Sequence, residues 1–336
     1  MSLALDHLRP PAPTAADAAA YKEWLHLVVA HHDSGTVGLV NVSLHGVPAA
    51  RSSRAVGTAL VAVPGAGWVG GVTAHDQGAA VAGALSLAVP GVALGVDVRS
   101  GALVAAVDPP GDGVHGWLRG EAVGPALCVD RVEAGGRWVG WWALPRVRLT
   151  GTLQAGGASL PLAGASGYAD HNWGRWPWGD GFGWAWGVFL APPDRPDPVT
   201  VVLSRATDRA GRPAGRALLE VRAGGAARRF TGDAVRLTWG PATLRPVRRL
   251  PGAAAVLHGD RAGSRQPAAL RVQAGDGHDE VVLDFTARSV AQVILADPGV
   301  RGYGFLHEIV GDFRAALRLR GRSTTATGLA VLERAG

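Results

Sequence analysis

The chain has 336 residues, 47% of them hydrophobic and 18% charged, so it is long enough for two domains and too apolar to be largely disordered. Its formal net charge is +6, but the basic residues are scattered rather than gathered with aromatic side chains on one face, so nucleic acid is not the expected partner. Lys22 is the only lysine and Cys128 the only cysteine, which excludes an intrachain disulfide and any paired-cysteine zinc or redox motif and fits a reducing, cytoplasmic setting.

Residues 1–20 are rich in Pro and Ala, and their apolar run before Asp6 is too short for a secretory signal. They read as a flexible lead. Residues 21–30 (YKEWLHLVVA) open the fold, and in 37–45 Val40, Val42 and Leu44 alternate with Asn41, Ser43 and His45, the pattern of an antiparallel strand. Further strands are predicted at 58–63, 92–98, 103–107, 116–122, 138–143 and 146–153. Gly65, Gly67 and Gly70 match the G-x-G-x-x-G dinucleotide fingerprint, which requires a helix beginning at the glycines. Here they follow an antiparallel-looking strand, and a Gly-rich hairpin is the alternative. Residues 77–96 carry no charge over a length that would span a membrane, but Pro90-Gly91 interrupts them, so two buried segments joined by a turn are expected, without stable membrane insertion. Residues 79–89 are the main stretch with a helical period and fit either helix or strand.

The second half repeats the style, with strands predicted at 199–205, 217–223, 234–239, 253–258, 269–273, 280–287, 314–320 and 327–332 and a loop at 192–198 (PPDRPDP). Short strands at regular spacing argue for an all-β chain of antiparallel barrels or sandwiches. Two such domains are expected, 21–165 and 166–336 after the lead, with no residue-level repeat visible between them.

The most suggestive chemistry lies in residues 167–187 (GYADHNWGRWPWGDGFGWAWG), which hold five of the twelve Trp. Extended, this segment puts Tyr168, Asp170 and Asn172 on one face and His171 and Trp173 on the other. Phe182, Trp184, Trp186 and Val188 then alternate with Gly183, Ala185 and Gly187, making an aromatic wall that suits a pocket. A carboxyl among indoles is poorly solvated when charged, so burial is expected to keep a proton on Asp170, and indole faces attract cations. Together these suggest protonation of an apolar alkene or epoxide. The structural alternative is a Trp-rich core with an acid that holds backbone amides in a turn. The eleven His include no H-E-x-x-H, and no G-x-S-x-G is present, so neither metal catalysis nor a serine hydrolase is expected. Glu23, Asp33, His307, Glu308 and Asp312 are candidate polar partners in a cleft, or surface and strand-end residues.

The string Gly167-Tyr168-Ala169-Asp170-His171-Asn172-Trp173-Gly174 resembles the G-x-Y-x-D-H-x-W-G signature of the AttH-like proteins and carotenoid 1,2-hydratases, a superfamily that includes lipocalin-like cyclases and pericyclases. Glu23-Trp24-Leu25-His26 resembles its E-W-W-Y opening, and residues 328–333 (GLAVLE) its closing segment. The resemblance implies two consecutive lipocalin-like β-domains and cofactor-independent chemistry on a hydrophobic small molecule, isoprenoid or polyketide-derived. It implies Asp170 as proton donor, Tyr168 as its assistant and Trp141 or Trp142 as an upstream aromatic wall. Leu25 and His26 depart from the usual aromatic pair, so the substrate does not carry over. The expectation is a hydratase or cyclase using catalytic Asp170 and Tyr168, with Trp24, His26, Trp141, Trp142, His171, Asn172, Trp173, Trp184 and Trp186 binding substrate and no metal or cofactor. A pericyclase acting on a polyene and a non-catalytic carrier of an apolar ligand are the alternatives.

Overall fold

The computed structural model describes residues 7–10, 18–47, 53–76, 81–83, 85–109, 113–134, 137–195, 197–250, 264–296 and 302–336. The chain divides into two compact units, Met1–Asp180 with Ala296–Tyr303 and Gly181–Leu295 with Gly304–Gly336. Both are built from antiparallel strands, as the alternating sequence requires.

The first unit comprises β1 (Tyr21–His31), β2 (Thr36–His45), β3 (Arg54–Val63), β4 (Gly67–Asp76), β5 (Val81–Gly83), β6 (Ser86–Val89), β7 (Val92–Val96), β8 (Leu103–Val107), β9 (Val114–Ala122), β10 (Leu127–Ala134), β11 (Arg137–Ala155), β12 (Ala158–Pro161) and β13 (Ser166–Arg175). Its spatial order is β4-β3-β2-β1-β13-β11-β9-β8-β7-β6-β5, a nearly closed barrel, with β10 and β12 added on β11. One face of each strand builds the core: Leu25, Leu27 and Val29 of β1 pack with Val40, Val42 and Leu44 of β2 and with Ala169 of β13. A buried Leu of this kind contributes about 1.5–3 kcal/mol through water exclusion.

The second unit comprises β14 (Gly183–Leu190), β15 (Thr200–Thr207), β16 (Pro213–Ala223), β17 (Ala226–Thr231), β18 (Val235–Trp239), β19 (Ala242–Leu244), β20 (Arg248–Leu250), β21 (Gln266–Pro267), β22 (Ala269–Gly275), β23 (Glu280–Ala296), β24 (Tyr303–Leu319) and β25 (Arg322–Ala335). The order is β17-β16-β15-β14-β25-β24-β23-β22-β18, with β20 parallel to β23. Phe189, Leu203, Leu219, Phe285 and Phe313 anchor its core. The two units share a pairing scheme that residue comparison does not reveal. In each, the first strand lies between the second and the last: β1 between β2 and β13, and β14 between β15 and β25.

Several elements differ from the sequence reading. The strand carrying Asp170 pairs with β1 and β11, so it belongs to the first unit, and the division falls near 180/181 instead of 165/166. The segments expected at 138–143 and 146–153 are one strand, β11, with a register shift between Leu144 and Val147. Pro145 has no N–H to give the ladder, so its local signal is a break, whereas the strand absorbs it as a bulge. β24 starts well before 314, because the polar residues His307, Glu308 and Asp312 that read as a strand end lie inside it. Residues 81–83 and 86–89 are strands; 79–80 and 84, like the strand expected at 253–258, lie outside the described residues. Gly65 and Gly67, at φ 79° and 84°, turn β3 back onto β4 with Val63 opposite Gly67, so the G-x-G-x-x-G string is a hairpin and opens no helix. Among the described residues no helix is long and apolar enough to cross a membrane.

Candidate active site

β13 alternates as its sequence dictates. Gly167, Ala169, His171 and Trp173 take the core face, while Tyr168, Asp170 and Asn172 take the opposite one. On that opposite face the register builds a small grid. Trp24 and Trp141 flank Asn172, and His26 and Ala143 flank Asp170, while Tyr168 lies beside Val28. Asp170, at its centre, is 7% exposed.

Three side chains hold the carboxyl. Tyr168 Oη donates to Oδ2 at 2.6 Å, Asn172 Nδ2 donates to Oδ1 at 2.6 Å, and Trp141 Nε1 donates to Tyr168 Oη at 3.1 Å and to Oδ2 at 3.3 Å. The register shift in β11 falls where Tyr168 stands on β13, so the bulge and the phenol coincide. Burial favours the neutral acid and the donors favour the anion. His26 is buried too, and desolvation pushes its imidazole down to about 4, so it is neutral at pH 7.

The same face continues into residues that sequence reasoning did not select. Lys22 and His45 are register partners, as are Trp24 and Ser43, and Lys22, Ser43 and His45 are all buried. Trp178 Nε1 donates to His45 Nδ1 at 3.4 Å, which leaves Nε2–H facing Ser43 Oγ at 3.0 Å. In that tautomer the imidazole cannot take the Ser43 proton, and no serine nucleophile results. Burial first, then the charges of Lys22 and Arg54, push His45 down to about 3. The alternation of Asn41, Ser43 and His45 was a visible signal; that β2 lies beside β1 in this register was not.

His171, Trp173 and Trp142 sit on the face away from Asp170. His171 Nε2 lies 2.8 Å from Glu23 Oε1, which also accepts the main-chain N–H of Arg9 at 2.8 Å, and Tyr21 Oη donates to the other Glu23 oxygen. Burial, reinforced by Glu23, drives the Tyr21 phenol far above its ordinary value. The Arg9 guanidinium lies 3.9 Å above the Trp173 ring, and an added Cβ at Gly140 would come within 2.3 Å of that ring. Glu23 and His171 are therefore a clamp between β1, β13 and the segment that precedes them. Trp184 and Trp186 belong to β14 of the second unit, where Trp184 Nε1 donates to Glu333 and Trp186 is the register partner of Glu333. Among the described residues no three His, Cys, Asp or Glu gather as a metal-ligand set.

No protein-family profile and no curated protein matches the chain. Solved structures do. An AttH assignment from Nitrosomonas europaea matches at a TM-score of 0.63 and 14% identity, over 97% of this chain and 98% of that one. Kievitone hydratase from Nectria haematococca matches at 0.59 and 10%, over 97% and 92%. CghA, solved with Sch210972, matches at 0.62 and 15%, over 98% and 94%. The chain therefore shares the two-unit, all-β fold of these solved proteins. At these identities the likeness is one of fold, and any activity has to be argued from the site.

Proposed function

We propose that the chain is a cofactor-independent enzyme that hydrates or cyclises a hydrophobic, terpenoid-type alkene by proton transfer from Asp170. The observation that carries this reading is the convergence of Tyr168, Asn172 and Trp141 on one buried carboxyl, on the sheet face opposite the one that packs the barrel core. Three fixed donors hold the acid in one orientation, which is what a proton donor to carbon needs. The proton adds to one alkene carbon, and the cation forms at its neighbour. Trp24 and Trp141 share the face with Asp170, and their rings offer the cation electron-rich surfaces. Capture by water gives an alcohol; capture by a second double bond gives a ring. One of the proteins with this fold carries the name hydratase, which agrees with the first outcome.

A second reading has its own support. Both Asp170 oxygens already accept hydrogen bonds, so the site also suits a pericyclase that only orients a polyene. Incubation of the wild type and Asp170→Asn with prenylated phenols and linear polyenes, followed by mass spectrometry, separates the readings. An acid catalyst adds one water, or isomerises at unchanged mass, and loses this in the variant. A pericyclase keeps part of its rate. A carrier binds both ways and converts nothing, which would end the enzymatic reading.

A further inference from the structure

His26 stands directly across from Asp170 in the β1–β13 ladder, on the same face, and both side chains are buried. Directly paired residues place their Cβ atoms about 4.5–5.5 Å apart, within reach of one reacting carbon skeleton. From this juxtaposition we infer that His26 is the proton acceptor that completes the reaction, so that the chain moves protons and isomerises its substrate instead of adding water. The inference rests on the acid role proposed for Asp170.

The step balances within the pair. The alkene π electrons take the Asp170 proton, forming a C–H bond and leaving a carboxylate and a carbocation. The His26 lone pair then removes a proton from the carbon next to the cation, and that C–H pair becomes the new double bond. If an internal double bond attacks the cation first, the same removal ends a cyclisation. The product is an isomer of the substrate, and no co-reactant is consumed. Imidazolium and carboxylate then face each other across the ladder, and return of the proton resets the pair. A base at this point must be neutral before it acts, and burial keeps the His26 imidazole so at pH 7. Other titratable groups of this face stand further along it: Lys22 on β1, His45 on β2 with Arg54 of β3 opposite it, and Tyr168 beside Asp170. His45 is the natural internal control, being buried, neutral, two strands from the acid and four residues along the ladder from its row.

Long-range 1H–15N NMR of the full chain labelled with 15N-histidine tests this without a substrate, using His26→Gln to assign the signal. Loss of the carboxyl in Asp170→Asn should change the His26 tautomer or move its ring 15N signals, while His45 stays as it was. Identical His26 signals in wild type and variant would overturn the inference. If Asp170→Asn does not give a dispersed spectrum, Asp170→Glu serves, since it moves the carboxyl by one methylene and should still shift His26; no shift there overturns the inference as well. The two proposals fail separately. Loss of turnover in Asp170→Asn with an unmoved His26 keeps the acid and removes this base; a shifted His26 with turnover intact removes the acid, and the base role that rests on it falls too.

Discussion

In the first unit the last strand presents Asp170 between Tyr168 and Asn172, opposite His26 on the first strand and Ala143 on the other side. In the second unit the last strand presents another buried acid, Glu333, opposite Trp186 on the first strand and Glu308 on the other side. Asp170 receives neutral donors on both oxygens, whereas Glu333 takes the Trp184 N–H and hydrogen-bonds Glu308. Two carboxyls can share a hydrogen bond only if one keeps its proton, and removal from water pushes Glu333 upward. One pairing scheme thus supports a carboxyl oriented by neutral donors in one unit and two carboxyls that share a hydrogen bond in the other. The topology supplies a place for an acid; its neighbours decide what the acid can do.

The sharpest break in this comparison is chemical. Asp170→Asn should reduce turnover by about a hundredfold or more, the usual scale for a lost general acid, while Glu333→Gln should leave rates within a few-fold. Steady-state assays on the alkene panel read both, and equal losses would erase the distinction. Acid stability comes next. Burial holds His26, His45 and His307 at about 4, about 3 and about 4, against 6.5 for an ordinary histidine. Between these values the unfolded chain binds protons that the native one refuses, so stability is whole above pH 6.5 and declines as the pH falls toward the folded values. At pH 5 each histidine costs roughly 2 kcal/mol, and two of the three lie in the first unit. Native-state hydrogen exchange at pH 7.5 and pH 5 should show β1 and β2 losing more protection than β24; the opposite order would contradict the assignment.

Packing gives a third handle. Gly140→Val places branched carbons where the Trp173 ring lies and should destabilise the first unit by about 1–3 kcal/mol in urea unfolding, and by more if the ring has nowhere to turn. Tyr168→Phe removes one donor from Asp170 and should slow turnover about tenfold while leaving the fold intact by circular dichroism. The smallest effect belongs to an exposed pair. Arg271→Gln breaks its contact with Asp284 on the second unit's surface and should change stability by under about 0.5 kcal/mol.

How much of this was legible follows from the range of each signal. The two faces of residues 167–174 were readable because alternation is local, and Tyr168, Asp170 and Asn172 do converge as that alternation requires. The same rule separates Trp142, His171 and Trp173 from the acid, a consequence that their shared motif obscured. His26 opposite Asp170, Lys22 opposite His45 and Glu308 opposite Glu333 are facts of register between distant segments, and no local pattern contains them. Pro145 misled for a related reason: a residue that ends most strands is tolerated where a neighbouring strand accepts a bulge.

Because the opening and closing strands of each unit are hydrogen-bonded to one another, each has its two chain ends side by side. An ancestral half built this way could be copied in tandem with only a short link, and the gap from Arg175 to Gly183 is such a link. A half so built is free to diverge alone once copied, and here one half carries a carboxyl held by neutral donors and the other a pair of carboxyls that share a hydrogen bond.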